Sequence, residues 1–278
     1  MKSIFVFKEG HLKYFLLTNF PEPVLEGKWK TAAIGNTTSL INPTIRSNMI
    51  ITNEKEAREN FLNDTRQQIY AAAVCDILDE MGFRYQAMHQ RLRPLLPDMR
   101  NCGFIGKART FAWQEIDYVG EEDPYGLEIE AMDSLNKGDV VVHSTDFNGT
   151  NAPWGELMST IAKRKGVAGC VCDSQIRDCI KIIEMNFPVY YSGIRPLDSK
   201  GRSIVIGYDM PVQCGGVLVH PGDLIFADFD GVVVIPKTVD EEEVFQKAKE
   251  KILAENFSRE ALLDGKTLRE VYDKYKAL

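Results

Sequence analysis

A mixed α/β fold is predicted by three features of the chain. Amphipathic helical stretches alternate with short β-branched runs from about Glu56 to Tyr191, the pattern of a sheet covered by helices. Five short strands broken by Gly and Pro follow Arg195, and two charged helical stretches close the chain after Pro236.

The elements follow in order. Phe61, Ile69, Ala72, Ala73, Val74, Ile77, Leu78 and Met81 fall mostly three and four apart, so a helix is expected from about Glu56 until Gly82 stops it. Gly103–Trp113 carries β-branched and aromatic residues and reads as a strand. Pro124–Leu135 reads as an amphipathic helix whose apolar residues are Leu127, Ile129, Met132 and Leu135. Asp139–Ser144 is a buried strand introduced by Gly138, and Trp154–Lys165 a helix ended by Gly166. Ala168–Cys172 reads as a strand, Asp173-Ser174-Gln175 as a polar turn, Cys179–Asn186 as a helix and Phe187–Tyr191 as a strand. Beyond Arg195, Ser203–Ile206, Val212–Gln213, Gly216–Val219, Leu224–Ala227 and Val232–Ile235 form a meander; Val239–Glu255 and Leu268–Tyr275 are helices.

Residues 1–52 lack sustained periodicity and carry the turn signals Gly35-Asn36-Thr37 and Asn42-Pro43. They are expected to be an irregular N-terminal extension, with Met49 an alternative start. The rest divides into a catalytic or binding domain, 53–237, and C-terminal helices, 238–278, that pack on that domain or on a neighbouring subunit.

An apolar share of 44% suffices for a buried core, and a net charge of −7 disfavours nucleic acid and anionic membrane as partners. It leaves room for a local basic site that takes a small anion. The apolar patches Ile4–Phe7 and Tyr14–Leu17 are interrupted by Lys8, Glu9, His11 and Lys13, so neither a span of about 20 apolar residues nor a signal peptide is read. Cysteines 75, 102, 170, 172, 179 and 214 form no Cys-x-x-Cys pair; Cys170 and Cys172 read as small core residues of a reducing compartment. A soluble, cytoplasmic protein is expected. No Gly-rich nucleotide loop follows a strand, which speaks against a methyltransferase.

Two segments hold the candidate chemistry. Asn151-Ala152-Pro153-Trp154-Gly155-Glu156-Leu157-Met158 suits a helix start, where free N–H groups and the helix dipole attract a carboxylate or phosphate. Gly155 lets a ligand approach the backbone. Asp173-Ser174-Gln175-Ile176-Arg177-Asp178 follows a strand end, where ligands of open α/β sheets collect. Arg177 offers a planar donor fork for a carboxylate. Asp178 offers a hard oxygen for Mg²⁺ or Mn²⁺, or an N-cap for the helix after it. Asp173 is a turn former or an outer-shell group of that metal. His143 and His220 read as core-edge and turn residues, and Asp228 and Asp230 as parts of a hairpin turn.

At this point the chain resembles the RraA-like family, which includes 4-hydroxy-4-methyl-2-oxoglutarate aldolases and regulators of ribonuclease activity. The resemblance rests on Gly155-Glu156-Leu157-Met158, on Gly166-Val167-Ala168-Gly169 through Asp173 with Ile176-Arg177-Asp178, on Pro221-Gly222-Asp223, and on Asp228 through Pro236. Phe187-Pro188-Val189 fits between them. It extends from about Asp64 to the C-terminus and leaves residues 1–52 outside.

The resemblance implies a swivelling β/β/α sandwich with C-terminal helices. It implies a divalent-metal-dependent lyase that cleaves a 4-hydroxy-2-oxoacid to pyruvate, with decarboxylation of oxaloacetate as a further activity. Gly155, Glu156, Leu157, Met158 and Arg177 would bind the substrate, Arg177 and Asp178 would act in catalysis, and Asp178 would hold Mg²⁺ or Mn²⁺. A homo-oligomer, trimer or hexamer, is implied, with an acid such as Glu250 or Glu255 reaching a neighbouring subunit's site. Lys181 stands where aldolase members often carry an acidic residue, as in the regulator branch, and Glu156 stands where several carry Asp. The alternative is therefore a non-catalytic regulator that binds a ribonuclease.

Overall fold

The structure, a computed structural model, describes residues 3–8, 11–16, 57–58, 60–62, 64–98, 101–119, 123–145 and 151–276. It divides into two units, Met1–Glu54 and Lys55–Leu278. In the first, β1 (Ser3–Lys8) and β2 (His11–Leu16) pair antiparallel, with Lys8 opposite His11. An irregular or strand-poor extension is expected here, and these two short strands are the described part of it. The alternating aromatic and β-branched residues of Ile4–Phe7 suit a strand. The turn signals at Gly35–Thr37 and Asn42-Pro43 lie outside the described residues, as does Met49.

In the second unit, helical residues 64–68 precede α1 (Ala71–Glu80), which buries Ala71, Ala73, Val74, Ile77 and Leu78. A two-residue strand, β3 (Arg93–Pro94), leads to β4 (Phe104–Glu115). There follow α2 (Gly126–Asp133), β5 (Asp139–Ser144), α3 (Glu156–Lys165), β6 (Gly169–Ile176), α4 (Cys179–Glu184) and β7 (Val189–Ile194). The chain continues through β8 (Ser203–Tyr208), β9 (Val212–Cys214), β10 (Val217–Val219), β11 (Leu224–Asp228) and β12 (Gly231–Ile235), then ends in α5 (Glu241–Leu263) and α6 (Leu268–Tyr275).

The main sheet runs β12-β11-β4-β5-β6-β7-β3, and β8 also pairs with β4. Strands β4, β5, β6 and β7 are mutually parallel. The long β4 serves two antiparallel partners in turn, β11 along Phe104–Lys107 and β8 along Phe111–Glu115. The meander expected after Arg195 is therefore split. Only β9–β10 and β11–β12 form local hairpins, because twelve residues of β4 give each half room for a different partner.

Side-chain alternation along β5 sorts the core. Val141 joins Phe111, Trp113, Met132, Trp154, Ala162, Ile176, Ile182 and Phe187 beneath α2, α3 and α4. Val140 and Val142 face the opposite layer, with Met88, Leu92, Val212, Val217 and Val219. A third cluster packs α1 and α5 onto Ile105, Phe226, Val233 and Ile235. The result is the mixed α/β fold expected, a strand layer on one face and helices on the other. No helix of the described residues is long and apolar enough to cross a membrane.

Two local expectations are corrected. On α2, Leu127 and Ile129 are exposed while Glu128, Ala131 and Met132 are buried. Residues two apart lie on nearly opposite sides of a helix, so Leu127 and Ile129 cannot both share the face of Met132. Strand β6 also runs through Asp173-Ser174-Gln175, where a turn was expected. A polar run stays extended there because its charge is satisfied. Asp173 receives Arg91 Nε at 2.8 Å and Nη2 at 2.6 Å, the Ser192 hydroxyl at 2.8 Å and the Gly215 amide at 2.7 Å.

Burial opposes ionisation of Asp173, but Arg91, the Gly215 amide and Ser192 together hold its carboxyl below the usual carboxylate range. Its side chain is 4% exposed, so the carboxylate left behind by Arg91→Ala is poorly hydrated. That substitution is expected to lower folding stability by about 3 kcal/mol at neutral pH, as measured by urea denaturation.

Candidate active site

Two backbone links bring the candidate segments together. Trp154 bridges Ile176 in parallel, and the Arg177 amide donates to the Trp154 carbonyl at 2.9 Å. Trp154 is fully buried, its ring stacked on Phe187 at 6.2 Å and edge-on to His143 at 5.2 Å. This anchor fixes the level at which α3 begins. Gly155 is the N-cap residue in extended backbone, and its carbonyl accepts from the Ser159 amide and hydroxyl. Gly166 ends the helix in the left-handed region, and Lys163, Arg164 and Lys165 complement the negative end of its dipole.

Asp178 sits at the N-cap of α4 in the left-handed region, φ 58°, yet its side chain makes no capping bond to α4. Instead its Oδ2 accepts from the Glu156 amide at 3.2 Å, at the start of α3. The expected N-cap role is thus transferred to another helix. A Cβ on Gly155 would lie 2.7 Å from Asp178 Oδ2 and 3.1 Å from Arg177 Cγ, so glycine is what allows the contact. Arg177 Nε stands 4.0 Å from Asp178 Oδ2, and Arg177 Nη2 donates to Asp198 Oδ1 at 3.1 Å.

The remaining predicted residues sort by geometry. The Glu156 amide is engaged by Asp178, and the amides of Leu157 and Met158 are the others that a helix's first turn leaves without partners inside the helix. The Leu157 side chain is 76% exposed, so only its backbone can take part, and Met158 packs on the core. Lys181 pairs with Glu184 at 2.9 Å.

His143 is fully buried and accepts from Trp113 Nε1 at 2.6 Å; burial pushes its pKa down to about 3. His220 pairs with Asp223. Asp228 caps α1 by accepting from the Ala71 amide at 2.7 Å. Asp173 is absorbed by Arg91. Within this chain Glu255 accepts from the Tyr70 hydroxyl and Glu250 from Gln246. All six cysteines are free, with Cys170 and Cys172 buried in the core as expected.

Three residues escaped the sequence reading. Asp198 holds Arg177, the Tyr125 hydroxyl donates to Asp198 Oδ2 at 2.8 Å, and Glu128 is buried beside them. No spacing signals them, since Tyr125 and Asp198 are far apart in sequence. Burial works against Asp198, but Tyr125, Arg177 and the amides of Ser199 and Lys200 hold its carboxyl below the ordinary range.

Among the described residues no group of three or more His, Cys, Asp or Glu side chains forms a metal cage. The single outward carboxylate of Asp178, 44% exposed, fits a hard cation that keeps most of its waters, the habit of Mg²⁺. Fold and site define an α/β protein in which a helix start and an Arg-Asp pair are in contact at the end of a central strand. A family model, RraA-like (Aldolase/RraA), matches residues 71–234. The chain belongs to the RraA-like family.

Its relatives include a Halalkalibacterium halodurans protein provisionally named a 4-hydroxy-4-methyl-2-oxoglutarate aldolase. That protein is 40% identical over 61% of this chain and 76% of its own length. Protein DlpA of Legionella pneumophila is 29% identical over 84% of this chain, a match that spans 36% of DlpA. The crystal structure of Streptomyces coelicolor RraAS2, described as an unusual member of the RNase ES inhibitor RraA family, superposes with a TM-score of 0.61 at 30% identity. It covers 71% of this chain and 95% of its own.

Burial, then the Asp198 charge, raises the Glu128 pKa to about 8, with Arg177 opposing. The folded state therefore keeps a proton that the unfolded chain loses near the ordinary glutamate value, so stability falls as pH rises toward about 8. Urea denaturation across pH 5 to 8.5 should show this loss in the wild type, and Glu128→Gln should lack it.

Proposed function

We propose that the protein is a lyase that cleaves a 4-hydroxy-2-oxoacid to pyruvate with Mg²⁺ or Mn²⁺, and that it also decarboxylates oxaloacetate. One observation supports the reading: the start of α3 and the Arg177-Asp178 pair, remote in sequence, are in direct contact through Glu156 N and Asp178 Oδ2. The names of relatives as aldolases support the reaction class.

Arg177 is 36% exposed and retains donors beyond the one given to Asp198, so it can grip the substrate carboxylate. The Leu157 and Met158 amides present the positive end of α3 to the same anion and orient the oxo group. Asp178 would hold the cation, which when bound supplies Lewis-acid stabilisation of the enolate charge formed as the carbon–carbon bond breaks.

Asp178→Ala is expected to cut metal-dependent pyruvate release by at least about 100-fold, read with a coupled pyruvate assay on a panel of oxoacids. Absence of turnover by the wild type with either metal would turn the assignment to the second reading, a ribonuclease-binding regulator. That reading is favoured by Lys181, a cation paired with Glu184 at the position where aldolase members often carry an acidic residue.

The same reading includes a homo-oligomer, trimer or hexamer. Leu253, Phe257 and Leu263 of α5 stand exposed at 57%, 57% and 81%, more apolar surface than a solitary helix usually shows water. Analytical ultracentrifugation should return three or six times the 31.4 kDa chain mass; a monomer removes the oligomer from the proposal.

A further inference from the structure

Arg177 lies at a strand end, where its long side chain has many rotamers unless something holds it. The hold comes from Asp198. Asp198 Oδ1 accepts from Arg177 Nη2 at 3.1 Å, and Asp198 Oδ2 accepts from the Tyr125 hydroxyl at 2.8 Å. Asp198 is itself fixed by the Ser199 amide at 2.8 Å and by the parallel bridge between its residue and Ala152, three residues before Gly155. The residue that holds Arg177 and the loop leading into α3 are thus joined through the backbone.

Tyr125 stands at the N-cap of α2, and Glu128 lies one turn on, buried at 3% exposure. With Glu128 filling the space as an uncharged acid, Asp198 is the charge directed at the rear of the guanidinium. Asp178, on the other side, meets Nε only at 4.0 Å.

We propose that Asp198 is a positioning residue that aims Arg177 at the substrate carboxylate, and that Tyr125 in turn fixes Asp198. The proposal rests on the oxoacid reading for its kinetic consequences and on geometry alone for its structural ones. A guanidinium held by one nitrogen presents its remaining edge in a constant direction, which lowers the ordering cost of binding. The contact with the carboxylate exists before and after bond cleavage, so loss of aim should appear mainly in KM.

The test uses the full chain and two near-isosteric variants. Asp198→Asn keeps an acceptor for the Ser199 amide but loses the charge, and Tyr125→Phe loses only the hydroxyl. Asp198→Asn should raise KM for the oxoacid about 10-fold with kcat changed less than about 3-fold, and Tyr125→Phe should raise KM about 3-fold. The crystal structure of Asp198→Asn should show Arg177 displaced or in several rotamers. An unmoved Arg177 in that crystal, or a KM equal to or below that of the wild type, overturns the proposal. If the wild type itself releases no pyruvate, the oxoacid reading falls alone, and a displaced guanidinium in the Asp198→Asn crystal still supports the brace.

Discussion

The pairing of Trp154 with Ile176 and Arg177 is the constraint on which the site depends. A buried indole sets the depth of the loop before α3, and two backbone contacts then lock that loop to the end of β6. With that register fixed, Gly155 must lie against Arg177 and Asp178, and the absence of a side chain there becomes a requirement. A shift of one residue along either segment would turn Asp178 away from the Glu156 amide. Backbone hydrogen bonds around a large apolar anchor tolerate few alternatives, because each slip would leave buried polar groups unpaired. The polar contacts of the site are individually weak and partly exposed; their geometry is inherited from the buried indole beneath them.

How much of this was readable from sequence depended on whether the relevant signal was local. Strand β5, Asp139–Ser144, has its predicted bounds because a parallel strand buried on both faces reads as an unbroken apolar run. Helix α6 also keeps its predicted bounds, marked by a capping box at Thr267 and Glu270. Arg177, Asp178 and Gly155 were found because they sit in contiguous motifs that resemble those of a family. β3 was not found, since two residues including Pro94 carry no periodicity. Asp198 and Tyr125 were missed for a different reason: their role exists only in the folded pairing, and nothing in a turn aspartate or a helix-start tyrosine announces it. Glu128 was hidden by the helix pattern itself, because an acid flanked by Leu127 and Ile129 reads as the exposed position, whereas the fold buries the acid and exposes the flanks.

That inversion on α2 shows what the site asks of its surroundings. An ordinary α2 would bury a leucine where Glu128 lies and gain roughly 1.5–3 kcal/mol by it. Burying a carboxylic acid instead raises its pKa to about 8 and keeps it protonated at neutral pH. A neutral acid beside Asp198 adds polarity without adding a second anion behind Arg177. Were it ionised, the guanidinium would face anions on several sides, and its attraction for a substrate carboxylate would fall. Stability is forgone on this helix where the electrostatics of the pocket gain, the local conflict expected near functional residues.

The same trade is made in the backbone at Asp178. Left-handed backbone costs a non-glycine residue about 1 kcal/mol, less for aspartate than for most. Asn186 and Lys276, also at positive φ, lie just past helix ends, where this conformation is common. Asp178 stands instead at a helix start, where aspartate ordinarily adopts extended backbone and caps its own helix. The extended alternative would give α4 a cap, and α4, at six residues, has little other local support. The left-handed turn gives that up and swings the carboxylate across to the first amide of α3, within 4.0 Å of Arg177 Nε. A helix cap needs only one of the two carboxylate oxygens; here one is fixed by the Glu156 amide, and the group stays half-exposed. The strain is therefore intelligible as the means by which one side chain serves the neighbouring helix and Arg177 together, at the expense of its own helix.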